Sequence, residues 1–427
     1  MNYSQPPAPR LLLLYGPTSY RGGAFLAAAE KLGLEVVQGI DLPNPLAEHW
    51  GLPISLDFSD EPGALARIDA LHRERPFAAV LAVDDRATLL AARAAARFGL
   101  PHNDPASALA ARDKWVMRER FAAAGAPVPR YRRFPLGADP AAVAAAVAAA
   151  VDYPCVVKPP RLSGSRGVIR ADDPAQLAAA WARTRRLVEA DGPEPDAAFL
   201  LVEEYLPGIE VAVEGLLTGG ALRVLAIFDK PDPLEGPFFE ETIYVTPSRL
   251  PEATQAAIAA RTAEAAAAVG LREGPVHAEL RINDRGVWPI ELAGRSIGGL
   301  CGSVLEFGVG VSLEELILRH AVGLPLPETG IDLAAPAAGV MMIPIPRGGM
   351  LRGWSGAEDA CAVPGVTGVE ITAKPNQPVV PLPEGASYLG FIFARGETPA
   401  FVEAALRAAH ARLSFRIEPT IVLLPVG

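Results

Sequence analysis

The 427-residue sequence predicts an α/β fold that passes into α+β structure. Three observations carry this. Near the N-terminus, short continuous apolar runs alternate with helical stretches, the pattern of a doubly wound parallel sheet. From Cys155 to Arg295, strands, glycine-rich turns and single helices follow one another. Beyond Ala334 short strands separated by turns end in one last helix.

Taken in order, residues 11–15 read as a buried strand, 22–32 as a helix and 35–40 as a second strand. A third strand over 77–83 ends in Asp84-Asp85 and is followed by a helix over 88–98. The first turn, Gly16 to Gly23, is glycine-rich but lacks GxGxxG spacing, which predicts a plain scaffold rather than a dinucleotide site. Asp104-Pro105 opens a helix over 106–124 that carries Arg112, Asp113 and Lys114 and is stopped by Gly125-Ala126-Pro127. An alanine-rich helix over 141–151 precedes a strand, 155–158, whose apolar run ends in Lys158.

Ser163-Gly164-Ser165-Arg166-Gly167 follows that lysine. Glycines and small hydroxyl residues let consecutive backbone N–H groups converge on an anion. Because the lysine precedes the glycines, this is not a Walker A loop; a flap over phosphates and an ordinary glycine-rich hairpin both fit. Asp173-Pro174 caps a helix over 175–190, and 191–196 form a polar loop. The strand 199–202 then runs into Glu203-Glu204, bends at Pro207-Gly208 and continues over 211–217, with Glu210 between. Acidic residues at such a bend mark a hinge that can hold a ligand. A strand over 221–229, a loop over 231–246 containing Phe239-Glu240-Glu241, and a helix over 252–269 complete this stretch.

The hairpin of residues 276–295 carries the sharpest chemistry. Period-two alternation puts His277, Glu279 and Arg281 on one face. A three-residue turn with Gly286 left-handed pairs Asn283 with Val287 and sets Glu279 opposite Glu291. Opposed like charges ask for a cation between them, and two carboxylates with retained waters are a common Mg²⁺ site. A solvated hairpin, or a glutamate paired with Arg281, is the plainer reading. A glycine-rich turn over 297–302 and a helix over 312–322 follow; the last strands fall at 340–345, 366–371 and 389–394, and the last helix at 399–412.

Half the residues are apolar and the net charge is −10 with no basic run, which supports large cores and excludes a nucleic-acid surface. Three cysteines, Cys155, Cys301 and Cys361, form no CxxC and suit a reducing compartment. Neither a signal peptide nor a membrane span is expected, which makes the cytoplasm the expected location.

Two lysines, a flap, an acidic hinge and a later pair of glutamates, in this order, resemble the ATP-grasp superfamily. LLVEEYLPGIEVAVEGLL is similar to its adenine and ribose segment, and VVKPPRLSGSRGV to its second lysine and phosphate flap. The C-terminal stretch GVEITAKPNQPVVPLPEGASYLGFIFARGETP resembles the last domain of L-amino-acid ligases, the carboxylate–amine ligase branch. The resemblance implies a pre-ATP-grasp domain over 1–112, a lid over 113–202, a large subdomain over 203–326 and a C-terminal α+β domain over 327–427. It implies ATP with Mg²⁺ or Mn²⁺, and small-molecule carboxylate and amine substrates, amino acids foremost. A homodimer is implied too.

Residue by residue, Lys114 and Lys158 are implied to contact ATP phosphates, with the backbone of Ser163, Gly164, Ser165 and Gly167 closing over them. Glu203 is implied to meet the adenine amino group, Glu204 and Leu206 to supply hinge contacts, and Glu210 to accept from the ribose. Glu279 and Glu291 are the implied metal ligands, and Arg295 the arginine beside an acyl phosphate. Gly298 would offer a backbone N–H to an oxyanion, while Glu241, His277 and Arg281 fall at the substrate side. Ala293 stands where many grasp enzymes have Asn, which departs from D-alanine ligases. A bicarbonate- or formate-activating synthetase and a non-catalytic nucleotide-binding subunit are the alternative readings.

Overall fold

Four parallel strands make the first sheet, in the order Ser55–Leu56, Glu35–Asp41, Arg10–Tyr15, Ala79–Ala82. Leu11 to Leu14 are buried on both faces, which is why that run is continuous rather than alternating. The computed structural model describes residues 8–42, 54–192, 195–308, 310–327 and 336–419. Part of the polar loop expected over 191–196, and the change of pattern placed at Ala334, lie outside the described residues. Helices Gly22–Lys31 and Asp85–Phe98 follow their strands as expected, the second starting three residues earlier. A helix the sequence reading did not assign, Glu61–Glu74, begins at Asp60, whose side chain accepts from Gly63 N.

The helix expected over 106–124 is two helices, Pro105–Arg112 and Lys114–Ala123. Asp113 breaks it: its backbone is extended and its carboxylate accepts from the N–H groups of Trp115 and Val116. An internal Asp competes with the helix for local donors and acts here as an N-cap. The break frees Lys114 N to donate to Pro160 O at 2.9 Å, so Lys114 is tied to the start of the glycine-rich loop.

A second, antiparallel sheet has the order Tyr131–Pro135, Phe199–Glu204, Cys155–Lys158, Ile169–Ala171. Helices Pro140–Ala150 and Pro174–Ala190 cover it through Val143, Val147, Leu177 and Trp181.

The third sheet runs antiparallel through eight strands: Gly286–Ala293, Gly274–Asn283, Ile209–Thr218, Ala221–Asp229, Ile243–Thr246, Ala337–Ile343, Gly390–Gly396, Val366–Ile371. Ile243–Thr246 corrects the loop expected over 231–246; all four of its residues are buried. It pairs with Asp229 on one side and with Ala338 to Met341 on the other, joining the hairpin half of the sheet to the C-terminal strands. Helix Pro399–His410 packs on those C-terminal strands through Val402, Leu406 and Ala409. Among the described residues, no helix is long and apolar enough to cross a membrane.

The hairpin turn also differs from expectation. Asn283 pairs with Gly286, not Val287, which taken alone shifts Glu279 off Glu291 by one residue. A bulge between Leu280 and Glu279 takes up Ile290 and restores the pair, Glu279 opposite Glu291. Pro289 sits on this edge strand, where a missing N–H costs no ladder bond.

Candidate active site

A cleft of about 560 Å³ lies where the three sheets meet. Every sequence-predicted site residue lines it except Gly167, which falls between the lining residues Ser165 and Val168. Strand Cys155–Lys158 delivers Lys158 and strand Phe199–Glu204 delivers Glu203; their Nζ and Oε2 are 2.7 Å apart. Arg118, with no exposed surface, completes the group with Nε 2.7 Å from Glu203 Oε1. Burial opposes the Glu203 charge, but Arg118 and Lys158 outweigh it and hold the carboxyl down to about 2. Burial lowers the Lys158 pKa, with Glu203 opposing that shift. Lys114 Nζ donates to Leu162 O at 2.7 Å and lies 3.4 Å from Glu291 Oε1.

Gly164, Ser165 and Gly167 all have positive φ, the conformation that turns successive amides to one side. This loop is stitched to the C-terminal segment: Gly167 N donates to Pro383 O at 2.8 Å and Arg166 Nε to Glu384 O at 2.9 Å. Arg183 forks onto the Glu384 carboxylate.

At the hinge, Glu204 is held by Arg130 at 3.2 Å and Arg285 at 3.0 Å. Arg281 ties the bend together, donating to Glu210 Oε2 at 2.8 Å and Leu206 O at 2.7 Å. A third bond reaches Leu234 O. Phe239 stacks with Tyr205 beside it, centroids 6.3 Å apart.

Glu210, Glu241 and Glu279 bring carboxylate oxygens within 4.8 Å of one another. The ammonium of Lys230 stands among them, 2.7 Å from Glu210, in contact with Glu241 and 3.6 Å from Glu279. Burial disfavours the lysine charge, yet the three carboxylates outweigh it and raise its pKa. Burial also works against the Glu279 charge, and Lys230 and His277 overcome it and lower the pKa. Glu279 and Glu291 keep part of their side-chain surface open to the cleft, 22% and 33%. Two opposed, hard-oxygen carboxylates of this kind fit Mg²⁺.

His277 Nδ1 lies 2.5 Å from the fully buried Glu214, and Nε2 lies 3.6 Å from Glu279. Burial would depress the imidazole, but the two carboxylates push it up to about 9 and keep it an imidazolium at neutral pH. Glu214 also accepts from Ile297 N at 3.0 Å, which fixes the turn carrying Gly298. Arg295 meets Asp85 at 2.9 and 2.7 Å. Burial lowers its pKa and the Asp85 pair more than reverses that.

Sequence reasoning missed Arg118, Glu214, Lys230, Asp85 and the first turn. The turn expected to be plain scaffold lines the cleft from Gly16 to Arg21, pinned by Asp84, which accepts from Gly16 N at 2.9 Å and Ser19 Oγ at 3.0 Å. The Asp84-Asp85 pair at a strand end was the available signal.

This arrangement of sheets, flap, hinge and opposed carboxylates defines an ATP-grasp protein. Family models agree: residues 26–102 match the ATP-grasp N-terminal domain, 151–304 the ATP-grasp domain and 341–418 the L-amino acid ligase C-terminal domain 2. The chain belongs to the ATP-grasp superfamily, in its L-amino-acid ligase branch. It is similar to the crystal structure of L-amino acid ligase from Bacillus licheniformis, with TM-score 0.78 and 26% identity, covering 97% of this chain and 100% of that one. It is 34% identical over 169 residues to the D-alanine–D-alanine ligase of Aromatoleum aromaticum, 39% of this chain and 50% of that one. It is 26% identical over 322 residues to the uncharacterized protein y4rH of Sinorhizobium fredii, 75% of this chain and 64% of that one. The chain thus spans between half and two thirds of the length of these two curated relatives. ATP-grasp ligases are enzymes that use ATP with Mg²⁺ to form carbon–nitrogen bonds, and the cleft residues fit both.

Proposed function

We propose that this chain is an ATP-dependent ligase that joins the carboxylate of one amino acid to the amine of another through an acyl phosphate. One observation supports the reading above others: a single cleft gathers Lys114, Lys158, Ser163 to Ser165, the hinge residues Glu203, Glu204, Leu206 and Glu210, Glu279, Glu291, Arg295 and Gly298. A carboxylate is a poor electrophile, so a leaving group must be installed first. A carboxylate oxygen attacks the γ-phosphorus, the bond to the β-phosphate oxygen breaks, and ADP leaves. The amine then attacks the acyl carbon, inorganic phosphate leaves, and the amine loses its proton.

The protein contributes position and charge. Lys114 and Lys158 hold phosphate oxygens, the flap excludes water, and Arg295 with Gly298 N–H faces the acyl oxygen. Glu279 and Glu291 would hold Mg²⁺, which would supply charge neutralisation at the phosphates. Residues 113–202 serve as the lid, 203–326 carry the chemistry, and 327–427 close the acceptor side. At the far wall Tyr20 and Tyr388 stand edge-on to Phe391, at 5.9 and 6.2 Å, beside Met342. This wall suits an apolar side chain.

The test mixes the protein with ATP, Mg²⁺ and a panel of amino acids, and measures phosphate and new amide masses. Amides containing Leu, Met or Phe are expected in preference to those of Asp, Glu or Lys. Phosphate release with no amide from any pair contradicts the ligase reading.

A further inference from the structure

Asp85 is the first residue of helix Asp85–Phe98, and it takes Arg295 side-on through Nε and one terminal nitrogen, at 2.9 and 2.7 Å. The other terminal nitrogen donates to Ser296 O at 2.9 Å. That carbonyl also accepts from Arg21 at 3.3 Å, and Arg21 is itself held by Glu314 at 3.1 Å. A guanidinium carries five N–H groups. Among the described residues these three contacts leave one N–H on each terminal nitrogen, a fork suited to two oxygens of an acyl phosphate.

Asp85 also lines a second cavity, of about 390 Å³, as well as the cleft. Ala293 and Arg295 line the cleft while Gly294 between them lines the second chamber, so this segment and Asp85 form the wall separating the two. The chamber is mostly small apolar residues such as Ala91 and Ala95, but Thr88, Asn103, Glu273 and His320 give it groups that can hold water.

We propose that Asp85 is a positioning and sealing residue: it fixes Arg295 side-on so that its free fork faces the acyl phosphate, and the pair partitions that group from the solvent of the second chamber. The inference rests on the ligase reading. It adds that the helix Asp85–Phe98, through its first carboxylate, sets both the alignment and the water-tightness of the acyl site. Without the partition, water attacks the acyl carbon, phosphate leaves and the starting carboxylate returns, so ATP is hydrolysed with no amide formed.

The test follows phosphate and hydroxamate with ATP, Mg²⁺, an amino-acid panel as carboxylates and hydroxylamine as the amine. Wild type is read first: phosphate release without hydroxamate from any carboxylate contradicts the ligase reading itself, before any variant is compared. Asp85→Asn keeps the wall and loses the charge; kcat is expected to fall about tenfold, with hydroxamate per phosphate and KM for ATP near wild type. Asp85→Ala removes both; kcat is expected to fall about 100-fold, and hydroxamate per phosphate to drop below about half the wild-type value. A merely structural role does not separate the two variants by product ratio. Wild-type kcat and product ratio in both, or a loss confined to KM for ATP, overturns the proposal. Where the alanine variant does not fold, the asparagine variant decides alone, and wild-type kcat in it overturns the proposal.

Discussion

Glu203 shows how much a single buried carboxylate carries. Its two cationic partners hold it far below the ordinary carboxylate range of about 4.5, down to about 2. A depressed folded-state pKa contributes stability that is present above the unfolded value and lost as pH falls through the folded one. The window is therefore between about pH 4.5 and pH 2, and the shift corresponds to about 3 kcal/mol. Denaturant unfolding of wild type and Glu203→Gln across that window is expected to show a steeper loss in wild type; parallel profiles contradict it. A second prediction belongs to Glu291, which faces the cleft opposite Glu279. Glu291→Ala is expected to lower kcat about 100-fold or more while nucleotide affinity, read by calorimetry, changes less than about tenfold. Unchanged turnover removes Glu291 from the site. These residues were legible because a lysine at a strand end and glutamates alternating on a strand are local patterns. Arg118 was not: a helical arginine reads as solvated surface, and only tertiary packing reveals that it has no exposed surface and touches Glu203 and Ile290 O.

Among the elements, the hairpin is the most instructive. Turn chemistry alone predicted the pairing of Glu279 with Glu291 through a three-residue turn, whereas the chain reaches it through a two-residue turn and a bulge at Ile290. The face of each residue follows from its own strand, but a bulge adds a residue that no alternation pattern announces. Arg118 donates to the Ile290 carbonyl at 2.7 Å, so the bulge is held from the helix Lys114–Ala123. The flap supplies a prediction at this scale. Arg183 and Glu384 are both partly exposed, so their pair is worth up to about 1 kcal/mol. Glu384→Ala is expected to raise amide hydrogen exchange across residues 163–168 by up to about fivefold, with a modest rise in KM for ATP. Exchange identical to wild type contradicts the stitching of flap to C-terminal loop.

For the whole molecule, the eight-stranded sheet makes the C-terminal strands Ala337–Ile343, Gly390–Gly396 and Val366–Ile371 part of the same layer as the hairpin. The link, Ile243–Thr246, was hidden in a proline-rich, acidic stretch where four apolar-leaning residues gave too short a run to read. Its pairing with Ala337–Ile343 predicts that strands on either side open together. Hydrogen exchange at Val245 and Val340 is expected to be similarly slow; Val340 exchanging orders of magnitude faster contradicts a shared unit. Strand and helix alternation was readable along most of the chain because each element is its own local signal. Which sheet a strand joins was not, since strand order is set by long-range pairing.

The central claim is that this one cleft activates a carboxylate by transferring phosphate to it, and oxygen labelling tests it most directly. With an ¹⁸O-labelled amino-acid carboxylate, ATP and Mg²⁺, one labelled oxygen is expected in the inorganic phosphate for each amide formed. Amide formation with no label in the phosphate contradicts the account.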